Sequence, residues 1–253
     1  MRTLPKHFRP RQSAALSIAT AIVVAVLCAA RVDANSAGLP PSVDEYAAAL
    51  AAIDKSHRRQ SLEPLFEIAI QSSPRIQASL DTLSAAEFAA LRKKMPGLQM
   101  IRGADAVVRP SADFFRNLAR RKGLKADRAF FAIYARTEPD SSPVFPAYVT
   151  QQSDSSGCTR FDGPLLVGLY RGWLDFRTQY SDDYAIEAQG ELDSIDAELA
   201  AGICACGSRA QVETGLEAFA KAFPDLPLTP KIRTRVDRIG TGVSHIRFNC
   251  HSG

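Results

Sequence analysis

AAGICACGSRAQ, residues 200–211, sets two cysteines one residue apart between two helical patterns. Upstream, Ala188, Leu192, Ile195 and Leu199 step by four, three and four; downstream, Val212, Leu216, Phe219 and Phe223 do the same. Such spacing puts each set on one face of an amphipathic helix. The stretch therefore reads as the turn of a helix–turn–helix. Its Cys204 and Cys206 could staple the fold, hold a metal or carry out redox chemistry.

The compartment bears on that choice. Arg2, Lys6, Arg9 and Arg11 precede an uncharged, largely apolar run from Ala14 to Ala30, and Val32-Asp33-Ala34 follows as a small-residue cleavage site. This is the pattern of a secretory signal peptide over residues 1–34. An uncleaved anchor is the rival reading, but the run is at the lower edge of what spans a bilayer, and no stable membrane span is expected after cleavage. The remaining chain is expected to be exported, periplasmic or extracellular. Five of the 31 basic residues and one of the 27 acidic ones lie in 1–34, which leaves 26 of each. A formally neutral chain lacks the basic footprint that nucleic acid requires, and no nucleic-acid role is expected.

An exported chain with an even set of cysteines (Cys158, Cys204, Cys206 and Cys250) is expected to form disulfides. Joining Cys204 to Cys206 would strain the small ring closed across a single residue. Two pairings remain open: 158–204 with 206–250, or 158–206 with 204–250. A metal site built from Cys204 and Cys206 with Cys250, His245 or His251 is the weaker reading, because paired zinc cysteines are usually two to four residues apart. The C-x-C spacing also departs from the C-x-x-C redox arrangement.

Working outward, S-V-D-E at 42–45 reads as a capping box, followed by Val43, Tyr46, Ala47, Leu50 and Ile53 at helical spacing. Leu62, Leu65, Phe66 and Ala69 suggest a second helix with Pro64 in its first turn. S-A-A-E at 84–87 opens a third, which Pro96-Gly97 ends. Ser111 caps a fourth through Phe114, Phe115 and Leu118, closed by Gly123. RAFFAIYA, 128–135, is read as helix. Leu166, Leu169, Tyr170, Trp173, Leu174 and Phe176 form one face of another, and Thr229-Pro230 caps and starts the last. HIRFNC, 245–250, alternates as a strand does. The expected fold is mainly α, with amphipathic helices, a small β element and a C-terminal half stapled by two disulfides. Its organisation is read as an N-terminal helical half over 35–137, a Pro/Ser-rich seam over 138–157 and the stapled half over 158–253.

Catalytic signatures are lacking. No G-x-S-x-G, H-E-x-x-H, phosphate loop or EF-hand loop occurs. A Cys–His–Asn set from Cys158 or Cys250 with His245 and Asn249 would need an unpaired cysteine. No catalytic residue, metal or cofactor is expected. The feature that breaks a local rule is the acidic helix 181–202, which holds seven carboxylates and no basic residue. Asp183, Glu187 and Glu191 follow at i, i+4 and i+8, a like-charge spacing that costs a few tenths of a kcal/mol per pair. Either Lys231, Arg233, Arg235 and Arg238 neutralise this helix inside the fold, or a basic protein partner docks on Asp183, Glu187, Glu191 and Glu198. The basic run 116–128 reads as a solvated helix end. The function expected is that of an exported helical binding protein with a macromolecular partner, such as an inhibitor, immunity-like antagonist or envelope accessory protein. The alternatives are an envelope hydrolase with an unrecognised site and a cysteine-based metal carrier.

Overall fold

The apolar spacings become nine α-helices among the described residues. The structure is a computed structural model that describes residues 41–103, 106–152, 156–161 and 163–249, all within one compact unit, Leu39–Gly253. In chain order, α1 is Pro41–Lys55, α2 Glu63–Ser79 and α3 Ala85–Lys94. The hairpin strands β1 (Leu98–Ile101) and β2 (Val107–Pro110) follow, then α4 (Ala112–Lys122) and α5 (Lys125–Thr137). Strands β3 (Val149–Gln151) and β4 (Gly157–Arg160) lead into α6 (Pro164–Gln179) and α7 (Ala185–Ala201). The two-residue β5 (Ala205–Cys206) precedes α8 (Arg209–Ala222) and α9 (Thr229–Gly240). β1 and β2 pair antiparallel. The second sheet runs β3-β4-β5, with β3 antiparallel and β5 parallel to β4.

Local capping chemistry accounts for several helix starts. Ser84 and Glu87 form the expected box at α3, and Ser111 caps α4 by accepting from the Phe114 amide. A further box, Ser208 with Gln211, opens α8. At α1 the expected box is absent: the helix begins one residue earlier, and the Ser42 hydroxyl is buried without a partner. Thr229 does not cap α9 either, because its hydroxyl donates to the Phe223 carbonyl.

RAFFAIYA is helical and builds the centre of the core. Phe66 of α2 meets Phe115, Phe130, Phe131 and Tyr134 edge-on, with ring centroids 5.2–5.4 Å apart. Tyr184 stacks on Phe130 at 3.9 Å, and Phe130 also touches Trp173 of α6. Aromatic pairs in these geometries add about 0.5–1.5 kcal/mol each beyond burial. Buried apolar residues form one cluster from Val43 to Ile239. Residues 138–152 pack into the fold: Tyr148 is buried, and the Asp140 carboxylate accepts from the Ser111 hydroxyl and the Ala112 amide at the start of α4.

The staple is present in part. Among the described residues one disulfide occurs, Cys158–Cys204, against the two expected. It rules out the 158–206/204–250 pairing. The second bridge would need Cys250, which lies outside the described residues, as do the leader 1–34 and His251. The 46-residue separation makes the bridge worth roughly 4 kcal/mol in the chain-entropy treatment. The tail pairs as a single parallel bridge, Cys204 with Arg247, where a strand was expected. No helix among the described residues is long and apolar enough to cross a membrane.

Candidate functional site

Helix α7 buries Ala188, Leu192, Ile195 and Leu199, and its carboxylates fall into three separate settings. The sequence groups Asp183, Glu187, Glu191 and Glu198 as one face. The fold divides them.

The first setting is the amino end of α7, where it meets the amino end of α2. Tyr184 adopts a left-handed backbone (φ 50°) just before the helix. Its hydroxyl donates to Asp127 Oδ1 at 2.5 Å, and Asp127, fully buried, also accepts from the amides of Leu62 (2.8 Å) and Leu124 (2.6 Å). This knot fixes α2, α5 and α7 together. The Tyr184 amide then donates to Glu63 Oε1 at 2.5 Å. Burial raises the Glu63 carboxyl above its ordinary range, with Glu187, Asp183 and Glu67 pushing the same way against that amide bond. Two helices thus gather four half-buried carboxylates, Glu63, Glu67, Asp183 and Glu187. Ile186 stands 81% exposed on the adjoining turn. Sequence reasoning missed Glu63 and Glu67, because nothing local to α2 announces that α7 lies against it.

The second setting surrounds Glu191. Arg109 of β2 is held by Glu138 Oε2 (2.6 Å), Gln99 Oε1 (3.0 Å) and the Pro139 carbonyl (2.7 Å). Glu191 lies near this pair but forms no ion pair among the described residues. Burial and then the charge of Glu138 push its carboxyl up to about 8, against the opposing pull of Arg109. Glu138 is also raised by burial, with Arg109 opposing. The phenols of Tyr134 and Tyr148 feel both carboxylates and are shifted well upward, chiefly by burial. Two buried carboxyls, one of them paired with a guanidinium, thus lie near each other with both pushed upward.

The third setting is the carboxyl end of α7. Glu198 accepts from the Thr159 hydroxyl. Arg235 of α9 donates to the carbonyls of Glu198 (2.7 Å), Leu199 (2.6 Å) and Gly202, and lies over the Phe161 ring. The basic residues of α9 thus do not neutralise the acidic helix by ion pairs. The ion pairs among the described residues are Lys94–Asp44, Arg109–Glu138 and Arg116–Asp113, and none includes an α7 carboxylate. In the run 116–128, Lys122 and Arg128 bond carbonyls at the ends of α1 and α4.

The remaining candidates are quickly placed. Cys158 and Cys204 are joined to each other, so neither offers a thiolate as nucleophile or metal ligand. His57 and His245 are exposed. Among the described residues, no group of three or more His, Cys, Asp or Glu side chains is arranged to hold a metal ion. No protein-family model, curated protein or solved structure matches the chain.

Proposed function

We propose that this chain is an exported, disulfide-stapled helical protein that works by binding a macromolecular partner, and that the partner presents a basic segment to the carboxylates at the amino ends of α2 and α7. The observation that carries this reading is that, among the described residues, none of these carboxylates takes part in an ion pair. Like charges were gathered from two helices, and no described ion pair offsets those on α7. An exposed isoleucine beside them adds the apolar anchor that interfaces favour. Roles as an inhibitor, immunity-like antagonist or envelope accessory protein all fit such a surface. The second staple is proposed as Cys206–Cys250. Its support is the parallel register: Cys204 pairs with Arg247 and the Asn249 amide donates to the Gly207 carbonyl, so the residue next to Cys250 in sequence bonds the residue next to Cys206.

The test is affinity capture from the native envelope, followed by affinity measurement with the recovered partner. Asp183→Asn/Glu187→Gln should weaken binding about tenfold, roughly 1.4 kcal/mol, and flatten its salt dependence. Unchanged affinity in a folded double variant would overturn the reading. The Glu138–Glu191 pair favours a second one, an envelope hydrolase with Glu191 as general acid. In that case Glu191→Gln abolishes turnover and leaves partner binding intact.

A further inference from the structure

The carboxyl end of α7 carries a different surface. The last turns of α7 and α9 and residues 243–246 enclose a groove of about 490 Å³, within the size range of small-molecule sites. Arg235, Arg238 and His245 line it, and no carboxylate does. Its apolar wall includes Ile203, Val243 and Ile246. Ile203 and Val243 are 67% and 66% exposed, so two large aliphatic side chains stand in water beside three nitrogen-bearing ones.

The groove is rigid for identifiable reasons. The Cys158–Cys204 bridge holds one wall. The Arg247 amide donates to the Ile203 carbonyl at 2.9 Å, and the Ala205 amide donates to the Arg247 carbonyl at 2.8 Å, so the tail is clamped to that wall. Arg235 is spent on α7 carbonyls and feels the Glu198 carboxylate, so its charge is partly offset. Arg238, in the exposed last turn of α9, is left to meet a ligand. Preorganised walls lower the cost of binding.

We propose that this groove binds a monomeric amphiphile with an anionic head, carboxylate or phosphate. The head lies against Arg238 and His245, and the chain runs along Ile203, Val243 and Ile246. Charge selects the head, since two guanidiniums in a lining without a carboxylate favour an anion, and the His245 ring adds a hydrogen-bond donor. The aliphatic wall requires a hydrocarbon tail to cover it.

Calorimetric titration of the mature chain with decyl phosphate, below its critical micelle concentration, tests this. Binding of one amphiphile per chain is expected, at least about tenfold tighter than inorganic phosphate or decyl maltoside. Arg238→Gln/His245→Gln should weaken it about tenfold, and Val243→Ser should weaken it as well. Both helix-end and tail positions are exposed, so the variants are expected to fold. The proposal is overturned if decyl maltoside binds as tightly, if the double variant binds unchanged, or if decyl phosphate gives no binding up to about 1 mM. Association with phosphatidylglycerol vesicles but not with decyl phosphate would also overturn it, in favour of a membrane-surface contact. The acidic cluster lies at the other end of α7, about 20 Å away at 1.5 Å per residue. Asp183→Asn/Glu187→Gln should therefore leave this binding unchanged, which separates the two proposals.

Discussion

Glu191 is the residue whose chemistry differs most from its local pattern. On α7 it is one of five acids; in the fold it sits beside Glu138, which already holds Arg109. Its carboxyl titrates at about 8 in the folded chain against an ordinary 4.5. Between those values the folded state keeps a proton that the unfolded state has released. Stability therefore falls as pH rises through that window and levels off above it. Glu63, Glu138 and Asp196 are raised as well and act in the same direction. Glu191→Gln, which mimics the protonated form, isolates one contribution. It should stabilise the chain by about 1–3 kcal/mol near pH 9, and the gain should vanish by about pH 5. Urea denaturation at both pH values checks this, and an equal gain at both would contradict it. None of this was visible in the i, i+4 spacing, because Glu138 and Arg109 come from other elements.

Elements show where sequence reading succeeds and where it fails. The face Ala188, Leu192, Ile195 and Leu199 is legible because helical periodicity is local. The Ser84–Glu87 box is legible for the same reason, and Ser208–Gln211 follows the same rule. Strands β1 (LQMI) and β2 (VVRP) are four residues each, too short for alternation of residue type to mark them. The end of α7 is illegible in another way. Its carbonyls are satisfied by Arg235, 33 to 37 residues downstream. Arg235→Met would free the Leu199 and Gly202 carbonyls, leave the Glu198 carbonyl with only the Gly202 amide, and remove the charge over Phe161. It should cost about 2–4 kcal/mol, and Arg235→Lys should recover only part of that, because an ammonium cannot span the same acceptors. Thermal unfolding measures the loss, and faster amide exchange across 198–206 should accompany it. A variant as stable as the parent would show that the cap is dispensable.

At the scale of the molecule, the aromatic core and the Cys158–Cys204 cross-link do much of the organising. Phe66, Phe130 and Tyr184 join helices far apart in sequence. The CAC turn ties β4 to the end of α7 through Cys158–Cys204. The mainly helical class and this bridge were foreseeable from periodicity and cysteine count, although two pairings stayed open. The division of the acidic helix into three settings was not, since it depends on which helices lie against it.

The proposed export and stapling can be tested directly by non-reducing peptide mapping of the protein purified from its native source. The expected result is a Cys158–Cys204 link together with a Cys206–Cys250 link, on a chain that begins near Asn35 and has no free thiol. A Cys158–Cys206 cross-link, or four alkylatable thiols in the native protein, would contradict it.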